Sequence, residues 1–510
     1  MNLVRPMART ESGSIRGSVL TIDGKKIFEY LGVPYAIAER FRRARPVPTW
    51  TGVRDATRFG PLAPQIIDDA AIGQEKDSLT ANLWLPRYHN GQEPVPAMIW
   101  IHGGGYIVGS SGQPETWGAA LAARHRIAVI GVSYRLGALG FSVLDHLLGD
   151  EYTDAANLAL YDLVDAIRWL RRHADVFGVD AENITIAGQS AGGAAVATLL
   201  GMPQTEGLFR RAIVQSGTAE RVRTPEYGRA RTEELLARLA ITPHRAHELL
   251  QVPLQELLIA QQQLVTSRNR AQIVDDIVFQ PSLGEMIPML PFEGMARGTH
   301  GDTDLIVGTN LCEAAGSVPL SLGSAEAIGM PESLPSLLAD DYGVPASLAE
   351  QYLTALAADH GRSVTGTEAL GAYLTDRMQR QPSNRMLEAR RDARGSTYSY
   401  LFAWEHSPGS GARHSLELPF VFHNLANREL RNELGDSAPI ELAHVMSGCW
   451  ARFARFGDPG DGWLEYWPNR LTRVFDSSIT DSADPLSATR MLLKPYGVPA
   501  RQRPHGTWSR

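Results

Sequence analysis

The chain has 510 residues, 44% of them hydrophobic and 21% charged, which is enough apolar material for a sizeable packed core. A net charge of −7 with no long basic stripe excludes the electrostatic footprint of a nucleic-acid binder, and no stretch reaches the uninterrupted apolar length of a membrane span. Two cysteines, Cys312 and Cys449, make neither a disulfide framework nor a metal spacing, and residues 1–17 contain no apolar signal core, so a cytoplasmic protein without a metal or organic cofactor is expected.

Apolar runs at 98–101, 127–134, 184–187 and 212–215 read as buried strands. Between the second and third, residues 158–177 place Leu160, Leu163, Val164, Ile167 and Leu170 at helical spacing. Strand patterns resume at 305–307 and 398–404. This alternation predicts an α/β fold, a mostly parallel sheet with helices on both faces. Charge-rich helical stretches at 224–271 and 331–393 read as insertions covering the sheet. No repeat or linker divides the chain, so one domain over 1–510 is expected, with a loosely ordered tail beyond Pro495.

The first chemical signal is Ile99-Trp100-Ile101 running into His102-Gly103-Gly104-Gly105-Tyr106, a strand followed by a glycine-rich loop. Such a loop offers inward-pointing backbone N–H groups; it lacks the Lys-Ser/Thr ending of a phosphate loop. His102 precedes a sharp turn, where a structural imidazole fits better than a base. The second signal is Gly188-Gln189-Ser190-Ala191-Gly192, the one Gly-x-Ser-x-Gly in the chain, with a strand before it and a small-residue helix at 193–200 after it. That context predicts a nucleophile elbow in which Ser190 stands exposed above the sheet.

A serine hydroxyl needs a base, an orienting acid and donors for the oxyanion. The acid should follow a late strand and the histidine should come after it. Glu313 lies just beyond the 305–307 strand, whereas Asp302 and Asp304 lie at its wrong end. Two histidines, His406 and His414, follow the 398–404 strand, and position alone favours neither.

These stretches resemble the type-B carboxylesterase/cholinesterase-like family of α/β-hydrolases, in a bacterial-type form. Further likeness lies in Gly32-Val33-Pro34-Tyr35-Ala36, Ser133-Tyr134-Arg135-Leu136-Gly137, Gln215-Ser216-Gly217, Gly308-x-Asn310-x-x-Glu313 and His414-x-x-Glu417-Leu418-Pro419-Phe420. The resemblance implies an α/β-hydrolase fold and a triad of Ser190, Glu313 and His414. It also implies an oxyanion hole on the amides of Gly104, Gly105 and Ala191, and a supporting hydroxyl at Ser216. The implied activity is hydrolysis of a small-molecule ester by water, on short- to medium-chain or aryl esters. A carbamate or amide hydrolase with the same triad, and a non-catalytic scaffold, are the alternatives. One departure touches the site: Gln189 stands where the family usually has glutamate, which removes a negative charge beside the nucleophile.

Overall fold

The computed structural model describes residues 5–87, 93–271, 277–315, 333–345, 347–435 and 438–498. Its centre is an 11-stranded sheet. In chain order the strands are β1 (Ser18–Ile22), β2 (Lys25–Pro34), β3 (Thr80–Pro86), β4 (Val95–Ile101), β5 (Ala128–Val132) and β6 (Val179–Gln189). They continue as β7 (Arg211–Gln215), β8 (Asp304–Asn310), β9 (Thr397–Phe402), β10 (Leu471–Phe475) and β11 (Thr480–Ala483). Across the sheet the order is β11-β10-β9-β8-β7-β6-β4-β5-β3-β2-β1. The run from β5 to β10 is parallel throughout. The margins are antiparallel: β2 pairs with β1 and β3, β3 with β5, and β11 with β10.

The central strands are apolar on consecutive residues because both faces are covered. In β4, Ile99 and Ile101 join the core on one face, while Met98 and Trp100 join the core on the other. In β8, Leu305 and Val307 alternate with Ile306 in the same way. Helix α1 (Leu158–Arg172) covers the first face with Leu160, Leu163, Ile167 and Leu170, all fully buried. It is shorter than the 158–177 pattern predicts. The chain breaks at His173, whose Nδ1 bonds the Trp169 carbonyl at 2.8 Å, and a separate turn follows at Ala174–Phe177.

The two helical stretches are each divided rather than continuous. The first becomes α3 (Pro225–Arg238), a 3₁₀ segment at Pro243–Leu250 and α4 (Leu254–Ala271), with α2 reserved for the helix after Ser190 (Ala191–Leu200). Prolines at the starts of these segments restart the helix after each break. The second becomes α5 (Ser333–Tyr342), α6 (Ser347–His360), α7 (Gly366–Thr375), a π turn at Asp376–Arg380 and α8 (Gln381–Ala389). Residues 331–332 and 346 of that stretch, and the tail from 499 onward, lie outside the described residues. The second stretch is tied to the loops above the sheet: Ser383 Oγ donates to the Gly217 carbonyl and Arg380 Nη2 to the Leu311 carbonyl, at 3.4 and 2.7 Å. The register brings Ile101, Gly188, Val214 and Val307 level across β4, β6, β7 and β8, so the loops that follow these strands open on one edge.

Candidate active site

Ser190 lies between β6 and α2 with φ 56° and ψ −123°, a conformation that costs a non-glycine residue about 1–3 kcal/mol. The turn is held from both sides. Its N–H donates to the Gln215 carbonyl at 2.9 Å, and its own carbonyl accepts from the Ala194 amide at 2.8 Å. The helix can start this close to β4 only because residue 192 is glycine: a Cβ there would lie 2.0 Å from the Ile101 carbonyl oxygen. The result is the strand–turn–helix elbow expected from the sequence.

Glu313, on the turn after β8, is 2% exposed and accepts three hydrogen bonds. Its Oε1 receives the Ser216 hydroxyl at 2.6 Å and the Asn310 amide at 2.7 Å, and its Oε2 lies 2.6 Å from His414 Nδ1. Asn310 also steadies a second buried carboxylate, because its Nδ2 donates to Glu417 Oε2 at 2.7 Å while Gln215 Nε2 donates to Oε1 at 3.0 Å. Trp450 Nε1 completes this chain on Gln215 Oε1 at 2.9 Å. Burial opposes charging of His414, but the hydrogen bond and charge of Glu313, with the charge of Glu417, outweigh it, and Arg221 acts in the opposite sense. The net effect raises the His414 pKa above the ordinary 6.5. Burial, then the neighbouring Glu313 charge, push the Glu417 carboxyl up as well.

Among the described residues, Ser190 Oγ makes no hydrogen bond; His414 Nε2 lies instead 3.1 Å from Gln189 Nε2. The structure therefore joins Glu313 to His414 and places Gln189, rather than Ser190, on the far ring nitrogen. Separations of 101 and 225 residues put both contacts beyond sequence patterning. His406 makes neither contact, while Asp304 pairs with Arg211 and Asp302 with Arg394 at the opposite end of β8.

The glycine-rich loop turns sharply after β4. Gly104 has φ 107°, and a Cβ on it would strike the Val108 carbonyl oxygen at 2.1 Å. Among the described residues, the N–H groups of Gly104, Gly105 and Ala191 have no acceptor within the protein. His102 is buried, with Nδ1 2.8 Å from the Gly103 carbonyl and its ring stacked on Tyr134 at 4.5 Å. Burial lowers its pKa to about 4, so it is a neutral brace of the loop. Trp84, Phe402 and Trp404 belong to the core on the second face of the sheet, which is the commoner fate of aromatic residues.

Residues 4–479 match the model of the carboxylesterase family. This chain belongs to that family. It is a carboxylic ester hydrolase with the α/β-hydrolase fold. The chain is 31% identical to a para-nitrobenzyl esterase of Bacillus subtilis, over 97% of this chain and 99% of that one. It is 31% identical to a phenmedipham hydrolase of Pseudarthrobacter oxydans, over 98% and 99%. A solved carboxylesterase of Geobacillus stearothermophilus superposes with a TM-score of 0.82 at 31% identity, covering 96% of this chain and all of that one. Among the described residues, no helix is long and apolar enough to cross a membrane, and both cysteines are free.

Proposed function

We propose that the protein hydrolyses short- to medium-chain or aryl esters through an acyl-enzyme on Ser190. His414 Nε2 takes the Ser190 proton as Oγ attacks the ester carbonyl carbon. The carbonyl oxygen gains the negative charge and is received by the amides of Gly104, Gly105 and Ala191; one such donor is worth about 10²–10³ in rate. The ester C–O bond then breaks, and His414 gives its proton to the leaving alcohol. Water enters, loses a proton to His414 and attacks the acyl group, which leaves as the acid while Ser190 recovers its proton. Glu313 holds Nδ1 protonated and stabilises the transient imidazolium. Ser216 and Asn310 fix the carboxylate so that Oε2 is turned toward the ring.

The observation that carries this reading is the 2.6 Å contact of Glu313 with His414 Nδ1, beside a serine in a strained elbow. The relative that takes its name from para-nitrobenzyl esters supports an aromatic ring on the alcohol side of the substrate. We further take residues 1–510 as one domain and read the two free thiols as suited to a reducing, cytoplasmic compartment. The test is kcat/KM for p-nitrophenyl esters from acetate to decanoate and for p-nitrobenzyl acetate, with Ser190→Ala beside the wild type. Turnover that peaks at short or medium chains and vanishes in the variant is expected. Turnover that survives Ser190→Ala would contradict the assignment, and Ser190-dependent turnover of amides or carbamates alone would retain the acyl transfer but remove the ester preference.

A further inference from the structure

Imidazole Nε2 carries a single lone pair when the proton sits on Nδ1. The 2.6 Å contact with Glu313 Oε2 fixes the proton there, so His414 Nε2 is an acceptor. The group beside it at 3.1 Å is the amide nitrogen of Gln189, which can only donate. Ser190 Oγ, the next residue's hydroxyl, is left without a hydrogen bond among the described residues. The carboxamide is not a loose surface group: Gln189 is 3% exposed, and its backbone is paired with Gln215 at the end of β6. Its oxygen fills the space beside Gly103, where a Cβ would lie 2.8 Å from Oε1.

We propose that the Gln189 carboxamide occupies the lone pair of His414 Nε2 in the resting enzyme and has to release it before Ser190 can be deprotonated. This rests on Ser190 and His414 being nucleophile and base. Two donors cannot both be served at full strength by one lone pair, so the amide competes with the serine that it adjoins in sequence. Gln189 is thus a positioning residue that slows acylation. The same side chain has a second way to pair: turned about its last torsion, its oxygen accepts from the Nε2–H of an imidazolium. A neutral amide therefore meets either state of the base, whereas a carboxylate at 189 would meet only the charged one. The charged groups that bear on His414 are Glu313 from the turn after β8, Glu417 from the segment after His414 and Arg221 from the segment after β7.

The test is the pre-steady-state burst of p-nitrophenol from p-nitrophenyl acetate, followed against pH in wild type, Gln189→Met, Gln189→Glu and Ser190→Ala. Methionine keeps the side-chain length and removes the donor. A net hydrogen bond of ordinary strength corresponds to roughly a 2- to 10-fold change, and Gln189→Met should acylate faster by that factor on the pH plateau. Gln189→Glu should move the acid limb to higher pH, because a carboxylate pairs only with the imidazolium, a shift that altered packing alone would not give. A plateau rate at or below wild type in Gln189→Met overturns the proposal; if that variant fails to fold, an unmoved acid limb in Gln189→Glu does so. Ser190→Ala separates the two readings. A burst that persists in it removes the nucleophile assignment, whereas its loss beside a wild-type-like Gln189→Met removes only the role given to Gln189.

Discussion

In the helical layer of α5 to α7, Asp341 is fully buried with the Tyr373 hydroxyl at 2.7 Å and Arg377 Nη1 at 3.2 Å. Asp376 is treated alike, between the Tyr352 hydroxyl at 2.7 Å and Arg380 Nη1 at 3.0 Å. At the edge of the sheet, Glu313 is as deeply buried and equally well supplied with donors, but one of them is an imidazole. A guanidinium stays charged and a buried phenol stays neutral across the working pH range, so the helical pairs are fixed. His414 can take up and give back a proton, has a second nitrogen facing away from the carboxylate, and leaves 32% of its side chain exposed. The same physical problem, a carboxylate withdrawn from water, thus yields a brace in one region and a proton-transfer device in the other. The difference lies in which donor answers it.

The strongest test of that contrast is Glu313→Gln. The amide keeps the shape but cannot stabilise an imidazolium, so kcat should fall by about 10³- to 10⁴-fold with the fold retained, measured by ester turnover alongside circular dichroism. Asp341→Ala should do the reverse. Leaving Arg377 in a buried site without its carboxylate should cost about 3–5 kcal/mol in urea unfolding, with kcat/KM staying within about threefold of wild type. If activity collapses in the folded Asp341→Ala protein, the helical brace and the catalytic site are not separable. Ser216→Ala removes one donor from Glu313 while sparing the Asn310 amide, and kcat should drop by about 10- to 100-fold. The smallest effect concerns pH. Acylation needs neutral His414, so kcat/KM should rise with pH, and the raised pKa places the midpoint above 6.5. A midpoint below that value would mean that burial, not Glu313, dominates the base.

The legible parts of the sequence were those where one local rule suffices. Strands β4 to β8 show as apolar runs because both their faces are buried, and Ser190 shows because an elbow needs its glycines. Strand β1, with mostly half-buried residues, and β11, largely exposed, give neither a run nor a clean alternation, so the antiparallel margins are silent in sequence. The break at His173 depends on a side chain bonding its own helix and the distant Glu11 amide, which helical spacing does not report. Within the site, Glu313 was marked by its place after a strand, but His414 and His406 were equal by position and were separated by family resemblance. The roles of Asn310, Gln215 and Trp450 are not legible in sequence, because they arise from contacts across the fold. The Gln189 substitution was visible as a lost charge; its hold on His414 was not.

The central claim is that Ser190 is the nucleophile, and reaction with diethyl p-nitrophenyl phosphate tests it most directly. Displacement of p-nitrophenolate leaves a stable diethylphosphoryl group on the attacking oxygen, and peptide mass spectrometry locates it. The account predicts a single adduct on Ser190 that appears in step with loss of esterase activity. An adduct on another residue accompanying that loss, or full turnover after Ser190 is completely labelled, would contradict it.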